Sequence, residues 1–299
     1  MSQDWKTHQE RSTPLALYSI RWIALHMGRP LARLLLYPIT LYYLAFAPAQ
    51  RRASRLYLNR ALSHPPTLFD IARHIHCFAA TILDRVFLLT GQFNQLKIDF
   101  PDENMPLKFS RQGKGCILLG SHIGSFEVLR SYAVKKCPLP IKILMHEGHN
   151  PMMMQVLNAL NEDVSKMVIS LGAPDSLIQV KDAIDAGCAV GILGDRVMEP
   201  GSSKTVRCTL LGGEIELPVA PIMLAASLKA PIIVFFGIYL GGNRYKIHFE
   251  LLSEEINPDR NRRQETIQHW MQKYANIMEK QIRQSPYNWF NFFDYWQDK

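Results

Sequence analysis

The chain has 299 residues, of which 47% are hydrophobic and 20% charged, so it can bury a full core; a disordered chain or a disulfide-stapled miniature is excluded. Its formal charge of +8 is unevenly placed. Residues 1–62 hold nine basic side chains (Lys6, Arg11, Arg21, Arg29, Arg33, Arg51, Arg52, Arg55 and Arg60) against Asp4 and Glu10, which leaves the remainder nearly neutral.

This basic arm is apolar. Residues 34–50 carry no charge, and the stretch from Leu15 to Met27 is interrupted only by Arg21, His26 and small polar groups. A nucleic-acid arm gains affinity by neutralising phosphates and stays polar, so nucleic acid is excluded as a partner. A lipid interface fits, with Tyr37, Tyr42 and Tyr43 suited to the headgroup level. The uncharged run is 17 residues long, contains Pro38 and Pro48, and is flanked by Arg33 and Arg51. Three placements stay open: an in-plane or re-entrant anchor, a single span, or an apolar helix pair packed on the body. Ala45-Phe46-Ala47 resembles a signal-peptidase site by chance, because Arg21, Arg29 and Arg33 break the stretch before it. Five cysteines without a C-x-x-C pair imply free thiols in a reducing compartment, and so a body that faces the cytoplasm. Residues 1–63 form the arm and residues 64–299 one further domain.

A long helix is predicted from Pro65 to about Gly91, with Leu68, Ile71, Ile75, Phe78, Ile82 and Phe87 on one stripe. Buried strands are predicted at Cys116–Gly120, Ile141–Met145, Met167–Ser170, Ala189–Leu193 and Ile232–Tyr239. Helices fit between them at Ser125–Val134, Met152–Leu160, Asp175–Ala186 and Val219–Leu228. The third is capped by Asp175 and stopped by Gly187. The alternation implies an α/β fold, a central, mostly parallel or mixed sheet flanked by helices, with an apolar helical arm in front. Tyr245–Leu251 reads as an edge strand and Asp259–Arg263 as a solvated loop. A last helix carries Ile267, Trp270, Tyr274, Ile277 and Met278, and an aromatic tail, PYNWFNFFDYW, follows.

The sharpest local feature is GCILLGSHIGSFEVLR, residues 115–130: a strand, a glycine-rich turn and a helix. It places His122 at a strand's carboxyl end, where open α/β sheets bind ligands. Glu127, five residues on, can fold its carboxylate back onto the imidazole from the first helical turn. Such a pair removes a proton from a weakly acidic hydroxyl: the imidazole is the base, and a carboxylate on its far nitrogen fixes the tautomer. Backbone N–H groups around Ser121, Gly124 and Ser125 can hold a phosphate or an oxyanion.

GSHIGSFE resembles the H-x4-[DE] block of the lysophospholipid acyltransferase superfamily. The chain is most similar to its bacterial lipid A biosynthesis group, the LpxL/HtrB-like lauroyl and myristoyl transferases. The resemblance takes in the apolar basic N-terminus, RRASRLYLNRAL, the HIGSFE block, GILGDR, LGGEIELPVAPIMLAASLKAPIIVFF and IRQSPYNWFNFFDYW, which is most of the chain. It implies transfer of an acyl group from an acyl carrier protein to a hydroxyl of a membrane lipid, with His122 as base and Glu127 as its orienter. The family's Asn-Trp before the acid is here Ser125-Phe126, and its downstream Asp-Gln pair is here Asp195-Arg196. The F-P-E-G-T block of the glycerolipid-making branch is absent.

Asp195-Arg196 follows the strand Ala189–Leu193 and so reaches the sheet edge of His122, as substrate contacts or as a structural ion pair. Lys204 and Arg207 are candidates for an acceptor phosphate or the donor's phosphopantetheine. His146-Glu147-Gly148-His149 lacks zinc-ligand spacing, and no metal is expected. Met152–Met154 suit core filling or a soft acyl-channel wall. No lipase elbow, G-x-G-x-x-G or P-loop occurs, so direct transfer without a covalent acyl-enzyme is expected.

The expected enzyme is a membrane-associated acyltransferase on the cytoplasmic face of the inner membrane. It takes acyl carrier protein or coenzyme A thioester as co-substrate and a lipid or glycolipid as acceptor, with no cofactor. A non-catalytic lipid-binding protein of the same fold, and a thioesterase or lipid hydrolase, are the alternatives.

Overall fold

The structure, a computed structural model, describes residues 28–101, 104–129, 139–145, 167–197, 204–258 and 260–296. The loop His146–His149, the helix Met152–Leu160 with its three methionines, Cys137 and the second half of the helix Ser125–Val134 lie outside them.

The chain enters as a helical stretch from Gly28 that continues into α1 (Leu36–Phe46). After Ala47, α2 (Pro48–Ala61) turns off at 94°. Pro48 at the first position of α2 has no N–H to offer the preceding turn, which is why the break falls there. No single described helix is long and apolar enough to cross a membrane; this bent pair meets that test only when taken together. The long helix α3 (Leu68–Leu89) follows, opened by a reciprocal capping box between Thr67 and Asp70.

Seven strands form one sheet: β1 (Lys97–Asp99), β2 (Cys116–Gly120), β3 (Ile141–Met145), β4 (Val168–Ser170), β5 (Ala189–Leu193), β8 (Ile232–Gly241) and β9 (Arg244–Ser253). Their order is β1-β9-β8-β2-β5-β3-β4, parallel except for the β8–β9 hairpin. The predicted α/β sheet is present. One strand is placed differently: β9 is interior, because the three-residue β1 pairs parallel to it and takes the edge. A separate antiparallel pair, β6 (Thr205–Leu210) and β7 (Gly213–Pro218), was not predicted. Gln272 and Glu279 of the last helix, α7 (Arg263–Gln284), hold its backbone at Thr209 and Leu211.

Helices cover both faces of the sheet, so its strands are apolar on both sides. Alternate residues of β2 divide between two cores. Ile117 and Leu119 pack with Val180 and Ile184 of α5 (Ser176–Asp185), Ile222 of α6 (Ala220–Leu228), and Tyr274 and Met278 of α7. Cys116 and Leu118 pack with Leu83 and Phe87 of α3 and Phe109 of α4 (Asn104–Arg111). Gly187 ends α5 with φ +79°, as expected, whereas the Asp175 carboxylate makes no cap bond and accepts from Gln179 instead. The expected loop Asp259–Arg263 contains a short 3-10 turn at Arg260–Arg262.

The start of the described chain is fastened to the body. Arg29 makes a two-pronged pair with buried Asp84 of α3 (2.7 and 2.9 Å), and Tyr245 donates to the same carboxylate at 2.8 Å. Arg29 also donates to the Gly242 carbonyl in the β8–β9 turn, and Arg33 donates to the Tyr239 hydroxyl at 2.8 Å. Arg29 and Arg33, two of the arm's basic side chains, are thus tied to the body.

Candidate active site

β2 and β5 are parallel neighbours, Gly120 opposite Leu193, so both chains leave the sheet at the same edge. His122 leaves β2 there and Asp195 leaves β5. The imidazole Nδ1 lies 2.8 Å from Asp195 Oδ1, and the His122 backbone N–H donates to Oδ2 at 2.9 Å. The carboxylate also accepts from the Trp289 indole Nε1 at 3.2 Å, and Tyr295 donates its hydroxyl proton to the Asp195 carbonyl. Asp195 is wholly buried, whereas the His122 side chain keeps 28% of its surface open.

The nitrogen that the sequence spacing assigns to Glu127 is therefore held by Asp195, 73 residues further on. Glu127 is buried at the start of the next helix, with Arg85 of α3 4.0 Å away. Asp195 is buried, which rules out the first of the two roles open to it in the sequence, direct substrate contact. Its partner Arg196 donates to the Asn291 side chain (2.8 Å) and the Phe290 carbonyl (2.9 Å), which ties β5 to the aromatic tail.

The turn is stitched in place. Gly124 adopts φ +73°, and a Cβ there would lie 2.0 Å from the Gly237 carbonyl oxygen of β8. A Cβ on Gly237 would lie 2.2 Å from the Ser125 carbonyl oxygen, so glycine is required on both sides of the contact. Gly124 N–H donates to the Asn288 carbonyl (2.7 Å) and Ser125 N–H to the Gly237 carbonyl (2.8 Å). The Gly124 and Ser125 amides, expected to hold an oxyanion or phosphate, thus fix the turn instead, together with the His122 amide on Asp195. The Ser121 and Ser125 side chains are buried beside it.

Sequence reasoning assigned no role to the tail, although its aromatic density was visible. Phe290 N–H donates to the His122 carbonyl at 2.8 Å, and Asn288 brackets Tyr239 of β8 with two side-chain bonds. Tyr274 of α7 donates to the Gly120 carbonyl at 2.8 Å. Trp289 is fully buried, and its carbonyl faces Nε2 of buried His74 at 2.8 Å. Lys204 and Arg207 stand on the β6–β7 hairpin rather than on the sheet edge; both are exposed, and Arg207 faces Glu214 at 3.5 Å.

Electrostatics suit a base. Burial and then the Arg196 guanidinium push the His122 pKa below its ordinary value and outweigh Asp195, which pulls it up. Burial opposes ionisation of Asp195, but the imidazole, its hydrogen bonds and Arg196 hold the carboxyl well below the usual carboxylate range. At neutral pH the ring is uncharged, Nδ1–H faces a carboxylate, and the lone pair is on Nε2.

The description of the bacterial lipid A biosynthesis acyltransferases matches residues 94–298. The chain belongs to that family. No curated protein matches the chain. The matched range includes His122, Asp195 and residues 286–296 of the tail. Membership brings acyl transfer to a lipid in general terms.

Proposed function

We propose that the chain moves a fatty acyl group from a thioester, carried on acyl carrier protein or coenzyme A, to a hydroxyl of a lipid or glycolipid. His122 Nε2 takes the hydroxyl proton as the oxygen attacks the thioester carbonyl. The tetrahedral oxyanion collapses, the C–S bond breaks, and the thiolate leaves with the proton from the imidazolium. No covalent acyl-enzyme is needed.

The observation that carries this reading is the His122–Asp195 pair: a partly exposed imidazole whose Nδ1 is held at 2.8 Å by a buried carboxylate, in a chain of an acyl-transferring family. Asp195 is a positioning residue. Glu127 faces Arg85, a cation that lowers the His122 pKa, and acts on the imidazole through that guanidinium. Lys204, exposed at the start of the hairpin, is available to the donor's phosphates.

Residues 1–63 are the membrane-association arm in this reading, and residues 64–299 the acyltransferase domain, on the cytoplasmic face of the inner membrane. Support comes from α1, whose outer face is apolar and open: Tyr37 and Leu41 are each 67% exposed and Phe46 is 65% exposed, with Leu68 and Phe69 of α3 also bare.

The test is transfer of labelled acyl chains from acyl carrier protein to a membrane lipid extract. His122→Ala is expected to abolish transfer in a folded protein. Asp195→Asn should lower turnover on the order of 10²- to 10⁴-fold, and Glu127→Gln less. Full activity of His122→Ala would sink the mechanism, and release of free fatty acid alone would make the protein a thioesterase.

A further inference from the structure

Between the arm and the β8–β9 turn lies a cavity of about 450 Å³, lined by Arg29, Pro30, Arg33, Leu34, Tyr37, His76, Gly242 and Asn243. It shares no lining residue with the site around His122. Its charge does not cancel. Arg29 is neutralised by Asp84, which Tyr245 also contacts, but Arg33 has no carboxylate partner among the described residues. Nη2 of Arg33 reaches the Tyr239 hydroxyl, an uncharged acceptor, while Nη1 is buried with no hydrogen-bond partner among the described residues. A buried guanidinium N–H left without an acceptor is costly, and none of the lining residues is acidic.

His76 stands in the same wall, its ring 5.3 Å from that of Tyr37. The Thr40 hydroxyl donates its proton to the Leu36 carbonyl at 2.6 Å, so toward His76 Nδ1, 3.3 Å away, it can only accept. Nδ1 therefore carries the ring's hydrogen, and Nε2 is the ring atom left for a ligand.

We propose that this cavity binds a phosphate group borne on a lipid. A guanidinium fork matches phosphate oxygens better than a point charge does, and Arg33 offers an unused N–H. The mouth favours an amphiphile: Leu34 and Tyr37, 60% and 67% exposed, continue at helical spacing to exposed Leu41, giving an acyl chain an apolar track that leads away from the phosphate.

The experiment is calorimetric titration of the full chain with dihexanoyl phosphatidic acid, below its micellar concentration, and separately with inorganic phosphate. The variants are Arg33→Met, Leu34→Glu, which puts a carboxylate at the mouth without touching the core, and Arg52→Met on the exposed face of α2 as a control for general charge. Thermal melts report folding; if Arg33→Met does not fold, Leu34→Glu decides. Binding of the lipid that falls tenfold or more in Arg33→Met and Leu34→Glu, but not in Arg52→Met, supports the site, with weak inorganic phosphate binding assigning it to lipid. Equal binding of inorganic phosphate, with the same losses, keeps the phosphate site and overturns the lipid. Wild-type chain that binds neither probe, or variants that bind no worse than Arg52→Met, overturns the proposal altogether.

Discussion

His122 sits between two opposite charges that pull its protonation in opposite directions, and this makes its role measurable. Because burial and Arg196 lower the imidazole pKa, the rate of a His122-dependent reaction should rise with pH through a value below the ordinary 6.5 and be level at neutrality. Asp195 stabilises the imidazolium, so in Asp195→Asn the plateau should fall and the acid limb should move to lower pH. Removing the guanidinium in Arg196→Met should move the limb to higher pH. These opposite shifts, read from pH–rate profiles of kcat/KM, distinguish electrostatic control of the base from simple loss of folding; limbs that stay in place would show that His122 is not the titrating group. His74 obeys the same physics with another consequence. It is fully buried, donates from Nε2 to the Trp289 carbonyl, and accepts from the Ser54 hydroxyl at Nδ1, 2.8 Å away. Burial pushes its pKa down to about 4, from 6.5 in the unfolded chain. The unfolded state therefore binds a proton that the native state refuses, so stability is full above pH 6.5 and is lost as the pH falls toward 4. The loss amounts to about 3 kcal/mol. Urea melts at pH 7 and 4.5 should show it, and His74→Gln should flatten that part of the slope.

At the scale of elements, the arm resolves into an elbow with two chemically different sides. Its inner side is specific, with Arg29 on Asp84, Arg33 on Tyr239, and the Arg60 guanidinium 4.8 Å from the Trp296 ring. Its outer side is apolar and exposed at Leu34, Leu41 and Phe46. Moving a leucine-sized side chain from water into an apolar phase is worth about 1.5–3 kcal/mol. Leu41→Asp should therefore lower partition into anionic vesicles tenfold or more without changing the melting temperature, as co-sedimentation and calorimetry would show. Unchanged partition would mean that α1 is not the docking face. The apolar length of this arm was legible in the sequence, and so was the glycine-rich turn, because strand, turn and helix are contiguous there. The partner of His122 was not: residues 122 and 195 share no local period, and only the parallel pairing of β2 with β5 brings them together. The β6–β7 hairpin does carry a readable alternation, with Cys208, Leu210, Ile215 and Leu217 all buried around the Leu211-Gly212 turn. Three-residue β1 has no such signal, and without it β9 reads as an edge.

Across the whole molecule, the His122 site is assembled from four distant stretches of chain. His122 comes from the carboxyl end of β2, Asp195 from that of β5, Trp289 and Phe290 from the tail, and His74 beneath them from α3. Tyr57 of α2 adds a bond to the Pro286 carbonyl across 229 residues. The tail's density in aromatics was visible, but its role was not, because a fully buried Trp whose carbonyl and indole N–H face different elements leaves no periodic trace. This arrangement has a consequence for synthesis. The sheet strands and their helices emerge from the ribosome in order, yet the imidazole gains its stitched turn and the indole contact on its carboxylate only when residues 286–296 have emerged and folded back. A nascent chain that already presents an apolar arm thus holds an unfinished His122 site, and the chemistry proposed for that imidazole is deferred until the tail is in place.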